Sequence, residues 1–407
     1  VGDDRPPIPD QESPQMPQRI AVIGAGVLGL AVAQSLCRQG AEVTVFDKGQ
    51  PGGGTSQISY AWVNANGKDP ASYHELNACA TEEHRRWQAS HPTWPRWLLE
   101  TGTLEWAADP AIHQQLTRRV AKLTALGYPC ETRERDALLS ALPGLRLDPR
   151  VQQAWFFSSE CLLFPSLYIA SLLADLHASG GRLVSQSEVT TLAESGRDVR
   201  LTLASGEAWR GDQLVLATGR WAPELLSQCG LELAMTDANR ADPAACSFLA
   251  HTQPLPIPLN CNLITPELNV RPQGGGRLML QALDLDQYAD PARPASPDGL
   301  IGKEMLRRLQ RLFRYSEGAR IEKIETGQRS RPADGLPALG YLSKSSRIYL
   351  MVTHSGMTLA PLLGRLVAEE MLSGTASPML SDFAPHRLLR PLSADIKSAP
   401  AYLPASQ

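Results

Sequence analysis

The sequence predicts an α/β protein: a doubly wound nucleotide-binding domain interrupted by a second, mainly antiparallel-sheet domain. Three observations carry that expectation. Residues 19–48 read RIAVIGAGVLGLAVAQSLCRQGAEVTVFDK, which is an apolar run, a glycine-rich turn, an apolar-periodic segment and a β-branched run ending in an acid. An α/β rhythm returns from about Phe164 to Gly219 and again from Ile348 to Leu372. Between those stretches, residues 230–325 alternate and break like antiparallel strands joined by turns.

Each part of the opening stretch has a physical job. Ile20–Ile23 is a strand, Gly24 allows the turn, Gly26 lets backbone N–H groups approach a pyrophosphate, and Gly29 lets the helix pack closely on the strand. The helix begins at Val27 and Leu28, so its unpaired N–H groups and partial positive charge face the phosphates. The second strand, Val43–Phe46, delivers Asp47 and Lys48. The acid lies 23 residues beyond Gly24, placed to accept hydrogen bonds from the ribose hydroxyls of an adenosine. Glycines, strand, helix and acid together predict a Rossmann-type dinucleotide site, against a glycine-rich turn that merely packs. GlnProGlyGlyGlyThrSer (50–56) follows, a loop in which Gly54 permits close approach and Thr55 and Ser56 can bond phosphate oxygens. Alone it could also be a plain surface turn; directly after the second strand it reads as a second wall of the cofactor site.

From Pro70 to about Leu142 the pattern is helical, with two or three helices outside the nucleotide fold. Its histidines and tryptophans are expected at helix contacts. His84 and His91 lie seven apart with no acid in phase, and no metal site is expected. A hairpin turning at Ser205–Gly206 leads into GlnLeuValLeuAlaThrGly (213–219). That strand delivers Thr218 and Gly219, and with them Trp221, to the cofactor's edge, because ligands sit beyond the carboxyl ends of parallel strands. Within the interruption, residues 254–260, 268–272 and 274–281 are expected strands, some at sheet edges because of their prolines, and 297–313 a helix. The resulting boundaries are 19–69, 150–229 and 326–390 for the nucleotide-binding domain and 70–149 with 230–325 for the substrate domain. Tails are expected at 1–18 and 391–407, and a substrate pocket between the domains.

The chain's 407 residues exceed one ordinary core. A net charge of −3 and a pI near 6.3 point away from nucleic acid and anionic membranes as partners. No apolar run approaches the roughly 18 residues of a membrane span. Seven cysteines are scattered singly without a CxxC, which fits a reducing cytoplasm better than a disulfide framework. Residues 1–18 carry five prolines and no apolar h-region, the composition of a disordered tail and not of a signal peptide. The oligomeric state leaves no mark in the sequence.

Taken together, the chain resembles the D-amino-acid oxidase-like FAD-dependent oxidoreductases, the family of glycine oxidase, sarcosine oxidase and D-amino-acid dehydrogenases. The likeness spans about residues 19–390. It rests on the glycine fingerprint with Asp47, GlyThrSer at 54–56, AlaThrGlyArgTrpAla at 217–222, GlyGlnArg…AspGlyLeuProAlaLeuGly at 327–340, HisSerGlyMetThrLeuAlaPro at 354–361 and AspPheAlaProHisArg at 382–387. The resemblance implies FAD as cofactor, adenine held by backbone contacts near Val189, and Arg329 gripping a substrate carboxylate. It implies oxidation of the C–N bond of an amino acid, or of a secondary amine carrying a carboxylate, by hydride transfer from carbon to flavin N5 to give an imine. Oxygen or another acceptor then takes the electrons. Thr353 stands where glycine is usual, Ser330 replaces a common proline after Arg329, and the His354 loop is short. No cysteine lies near 327–361, where monomeric sarcosine oxidases attach FAD, so noncovalent FAD is expected.

A helix opening near Met357 would aim the N–H groups of Gly356, Met357 and Thr358 at the flavin edge where reduction places negative charge. His354 either holds its loop by hydrogen bonds or contacts substrate or flavin. Arg329 either binds a carboxylate with its planar fork or pairs with Asp334 or a carbonyl. Arg271 either faces the pocket or is a solvated strand arginine. Hydride transfer needs a neutral amine and no protein base, so the lack of a triad is no obstacle. An FAD-dependent monooxygenase, which would carry GlyAsp where this chain has ThrHisSerGly, and a non-catalytic flavoprotein partner subunit are the alternatives. A disulfide reductase would need a CxxxxC that is missing.

Overall fold

The computed structural model describes residues 17–392, so all but the innermost positions of the two expected tails lie outside the described residues. A six-stranded sheet forms the nucleotide-binding half, in the order Ala338–Tyr341, Ile348–Val352, Gln213–Leu216, Arg19–Ile23, Glu42–Phe46 and Arg182–Val184. Every neighbouring pair is parallel except the first. Among the described residues the helices are α1 (Val27–Arg38), α2 (Ala71–Ala89), α3 (Pro110–Ala125), α4 (Arg135–Ala141), α5 (Pro165–Ala178), α6 (Ala222–Gln228), α7 (Leu300–Leu312) and α8 (Gly356–Ser373). Every residue of α1 from Val27 to Cys37 is buried, because sheet, α5 and α8 surround it. An all-round apolar helix is what that position demands.

The second half is an eight-stranded sheet. Its order is Ile321–Gln328, Cys246–Thr252, Leu278–Gln281, Asn269–Pro272, Asn262–Ile264, Thr103–Glu105, Gln153–Phe157 and Glu131–Glu134. Pairing is antiparallel except where Asn262–Ile264 meets Thr103–Glu105. The antiparallel domain is therefore assembled from both inserted segments. Three boundaries need correction. Gln153–Phe157 and Ile321–Gln328 belong to this sheet, so a break drawn at 150 assigns the first strand to the wrong half and one at 326 cuts through the second. α2 packs Tyr73, Leu76 and Ala80 into the core shared by α1 and α8, so a break at 70 assigns that helix to the wrong half.

Residues 254–260 are also corrected, because they join no sheet. Leu255, Ile257 and Leu259 are buried while Pro254, Pro256 and Pro258 are exposed, which is the period of a strand without its ladder. Three alternate residues without N–H groups leave that edge nothing to donate. The segment packs as an extended strap over the second core.

Proline shapes α8 in another way. Pro361 lies inside the helix and has no N–H for the carbonyl of Met357, four residues back. His84 of α2, fully buried, brings its Nε2 to 2.8 Å from that carbonyl oxygen. A carbonyl only accepts, so Nε2 carries the proton. Burial pushes the His84 pKa down to about 4, which keeps the ring neutral. His84→Phe should lower the unfolding free energy by about 1–3 kcal/mol, the cost of a buried acceptor left unpaired. Pro361→Ala returns an N–H to the helix, so the same histidine substitution should cost less in that background. Equal losses in both backgrounds, measured by denaturant unfolding, would show that His84 serves something other than this carbonyl.

Candidate active site

A cavity of about 1050 Å³ crosses the carboxyl ends of the parallel strands, from the Val189 side beyond Arg182–Val184 to the His354 side beyond Ile348–Val352. Of the residues expected to hold a dinucleotide, Gly24, Gly26, Val27, Leu28, Asp47, Lys48, Gly54, Thr55, Ser56, Val189, Thr218, Gly219, Trp221, Gly356 and Met357 line it, and so does His354. Gly29, Thr358 and Arg329 do not. Gly29 works one layer back: a Cβ there would lie 1.8 Å from the Gly24 carbonyl oxygen, so helix and strand can approach only with glycine. Gly24 itself has φ +103°, and a Cβ on it would meet the Ala217 carbonyl oxygen at 2.5 Å.

The turn is locked by its acid. Asp47 accepts from the Ala25 N–H through Oδ2 and from the Gly49 N–H through Oδ1, both at 2.7 Å, and each oxygen keeps a lone pair for a further donor. The first rung of α1 is Leu30 N–H to Gly26 carbonyl, which leaves the N–H groups of Val27, Leu28 and Gly29 outside the ladder. Val27 N–H donates to Ser56 Oγ at 3.1 Å. Ser56 thus keeps its own proton for a phosphate. Thr55 does not, because its hydroxyl donates to the Gln328 carbonyl at 2.7 Å. The Thr218 hydroxyl, buried in the cavity wall, has no partner among the described residues. Lys48 and Arg220 both rest on the Trp221 ring, 4.2 and 3.9 Å from its centroid. Helix N–H groups, an acid for a ribose and an unpartnered hydroxyl fit a dinucleotide. Ser59, Ser187, Thr190, Gln228 and Ser330 also line the cavity, and no glycine or acid signature marked them in the sequence. All seven cysteines are free thiols, and none lines the cavity.

At the other side, the first rung of α8 is Leu359 N–H to Ser355 carbonyl, so Gly356, Met357 and Thr358 have N–H groups outside the ladder. The loop before α8 is held by Ser355: Tyr73 Oη lies 2.6 Å from its Oγ, and Lys68 Nζ donates to it at 3.3 Å. His354 makes no side-chain hydrogen bond among the described residues, so it does not brace the loop in the way one reading of the sequence expected. His354 lines the cavity and is exposed there. Partial loss of water around the ring, followed by the charges of Arg329, Lys68 and Arg331, shifts its pKa below the usual imidazole value.

Arg329 is tied down. Its Nη1 donates to the Pro243 carbonyl at 2.7 Å, its Nη2 to Asp286 at 3.3 Å, and its backbone N–H to the Ala245 carbonyl. The sequence left open a pairing with Asp334, but Asp334 is taken by Arg387. The guanidinium of Arg331 has no hydrogen bond or ion pair among the described residues. Arg271 is neither solvated nor on the cavity: it is 1% exposed, and its guanidinium donates to the carbonyls of Tyr60, Ala61, Leu163 and Pro272. Burial lowers its pKa to about 10, which leaves it charged at neutral pH. No three His, Cys, Asp or Glu side chains converge as metal ligands among the described residues.

Beneath the Trp62–Val63 strand lies Glu160, fully buried, which accepts from Trp62 Nε1 at 2.7 Å and from the Tyr128 hydroxyl at 3.2 Å. Burial raises its pKa to about 8. It is therefore largely protonated at neutral pH and offers Lys68 little charge.

Two outcomes follow for measurement. Asp47→Ala removes two backbone anchors and the ribose acceptor, so FAD affinity should fall by about 1.5–3 kcal/mol, the scale of a bond to a charged group. Titration of apoprotein with FAD reads it, and an unchanged affinity would mean that the acid serves only the turn. For Glu160 the folded pKa exceeds the unfolded one, so the native state binds more protons between roughly pH 4.5 and 8 and loses stability as pH rises through that window. Glu160→Gln should flatten this part of the stability–pH curve; an unchanged slope would place the titration elsewhere.

Among known proteins, residues 19–370 match the family described as FAD dependent oxidoreductase (DAO). The glycine oxidase of Geobacillus kaustophilus is 24% identical over 362 residues, covering 86% of this chain and 92% of that protein. D-amino acid dehydrogenase 2 of Pseudomonas aeruginosa is 26% identical over 421 residues, covering 88% and 95%. The crystal structure of the G. kaustophilus glycine oxidase shares the fold, with a TM-score of 0.78 at 22% identity over 90% of this chain and 98% of that one. With a family match across most of its length and a cavity that fits its cofactor, the chain belongs to the DAO family of FAD dependent oxidoreductases.

Proposed function

We propose that this oxidoreductase acts on the C–N bond of an amino acid, or of a secondary amine that carries a carboxylate. The observation behind this reading is a cationic cluster behind the cavity wall: Arg329, Lys68 and Arg331 do not line the cavity but all bear on His354, which does, and among the described residues only Arg329 has an acid within ion-pair distance. The names of the relatives, glycine oxidase and D-amino acid dehydrogenase, agree with such a substrate. FAD, when bound, supplies a two-electron acceptor for the hydride leaving the carbon next to nitrogen. It is held noncovalently, a reading supported by the absence of cysteine from the cavity lining.

The chain's own residues do the rest. Arg331 is the better fork for the carboxylate, because Arg329 is already held by Asp286 and Pro243. The anchoring role expected of Arg329 thus moves two residues along the same loop, with Lys68 adding a point charge. The field that attracts a carboxylate also disfavours an ammonium, so the substrate nitrogen binds as the neutral amine that hydride loss requires. His354, uncharged, can accept a hydrogen bond from that amine. Its lowered pKa makes it a weak base, and the proton of a substrate ammonium leaves to solvent before binding. The N–H groups of Gly356 and Met357 add positive potential at the same side.

Anaerobic mixing with D-amino acids, glycine derivatives and cyclic imino acids tests the class. At least one should bleach the flavin, and its decarboxylated counterpart should do so far more slowly. Arg331→Met should lower kcat/KM for the acid by about two to four orders of magnitude, since removing one partner of a buried charge pair costs roughly 3–5 kcal/mol and about 1.36 kcal/mol is tenfold. Arg329→Met should act mainly on stability, by leaving Asp286 unpaired. A selective loss in Arg329→Met instead would return the anchor to Arg329, and equal damage to acid and amine by both variants would sink the carboxylate reading.

A further inference from the structure

On the outer side of the nucleotide-binding half, α1, α2, α5 and α8 meet around a second cavity of about 190 Å³. Gln34, Arg38, Glu83, Trp87, Tyr168 and Arg365 line it. Three polar atoms of these residues have no partner among the described residues: Gln34 Oε1, the Tyr168 hydroxyl and Trp87 Nε1. Tyr168 is 0% and Gln34 7% exposed, so water at the outer surface does not serve them. A buried polar group left unpaired is destabilising, and three around one small cavity are more than packing alone accounts for. A core tyrosine that only packs is served as well by phenylalanine.

The orientation of each group narrows the ligand. Gln34 Nε2 donates to Ser35 Oγ at 3.0 Å, which fixes the amide with Oε1 as a free acceptor. Trp87 Nε1 is only a donor. Tyr168, whose hydroxyl sits in the field of Glu83, has a proton to give. Arg38 is steadied by Asp175 at 2.8 Å and Arg365 by Glu83 at 2.9 Å, and each guanidinium keeps N–H groups beyond those bonds. The cavity therefore offers clustered donors for a carboxylate and, beside them, the acceptors Gln34 and Glu83 for an amino group. We propose that it binds a small α-amino acid as its zwitterion, at a site separate from the flavin cavity.

The position gives such a ligand a route to the flavin side. Tyr168 packs on the ring of His84, 5.0 Å between centroids. His84 in turn carries the Met357 carbonyl, and Met357 lines the flavin cavity. Pro361, whose missing N–H makes His84 necessary, is itself part of the second cavity's wall. Occupancy is thus relayed through Tyr168 and His84 to the first turn of α8.

The probe is 2-aminoisobutyrate, which has no Cα–H and cannot be oxidised by hydride loss, titrated calorimetrically into the FAD-loaded protein. The comparison is a Tyr168→Phe, Gln34→Leu double variant, which removes both buried unpartnered groups with little change of shape. Wild type should show one more saturable site than the variant, or that site weakened at least tenfold in the variant. Isobutyrate and isopropylamine, each carrying half of the zwitterion, should not fill it. Identical isotherms for the two proteins, or no saturable binding to wild type, would overturn the site and mean that the three polar atoms are served by water. The relay has its own readout: in wild type, and not in the variant, the probe should shift the flavin's visible bands. Binding without that shift would leave the site standing and overturn the relay.

Discussion

The site depends on the contact between α1 and α8. These helices lie far apart in the chain, yet both put their N-termini on one cavity, and they can do so because their backbones touch. A Cβ at Gly364 of α8 would lie 2.5 Å from the Ala31 carbonyl oxygen of α1. Two helix N-termini brought together add two partial positive charges, which repel unless something negative sits between them. In the proposed reading, a pyrophosphate before α1 and a flavin edge that becomes anionic before α8 would be the matching ligands. The crossing makes cofactor binding part of the stability of this half, since whatever binds only the folded state holds it there.

The same crossing is braced from its own half and from the second. α2, whose Tyr73, Leu76 and Ala80 lie in the first core, supports α8 at the residue where Pro361 breaks the ladder, and its Tyr73 fixes Ser355 at the helix start. Arg271, on the large sheet, grips the carbonyls of Tyr60 and Ala61 in the stretch following the glycine loop. The Arg271 tether joins a strand of the inserted domain to backbone next to the cavity-lining Ser59. The cofactor cavity is therefore held from both domains, although its lining comes almost wholly from one.

What the sequence disclosed follows the range of the forces involved. Gly24, Gly29 and Asp47 were legible because a left-handed turn, a backbone contact and a carboxylate over two N–H groups are settled within a strand–turn–helix–strand unit. Sheet membership was not. Gln153–Phe157 is an apolar strand whose partners, Thr103–Glu105 and Glu131–Glu134, are chosen by tertiary packing, and nothing in its own residues tells one sheet from the other. Residues 254–260 alternate as a strand does, but the ladder they lack is a matter of N–H groups, which the prolines had already removed. His84 looked like one more helix contact; the signal that could have found it was Pro361, which announces an unpaired carbonyl four residues earlier and so a donor from elsewhere.

Buried or half-buried cations that lack an acid can mean opposite things, and the difference lies in what else holds them. Arg271 is surrounded by carbonyls that take four of its hydrogen bonds, so its charge is solvated by the protein and asks for no ligand. Lys68 has a single hydroxyl and the face of Tyr73, and its nearest acid, Glu160, is kept largely protonated by its own burial. Arg331 has nothing comparable to the cradle of Arg271. Leaving such charges unmet costs several kcal/mol in a low-dielectric site, a cost that an anionic substrate and a reduced flavin remove on binding and turnover. On that physical ground the carboxylate of the proposed substrate belongs at the side of the cavity around His354, and not at the fully satisfied arginine of the sheet.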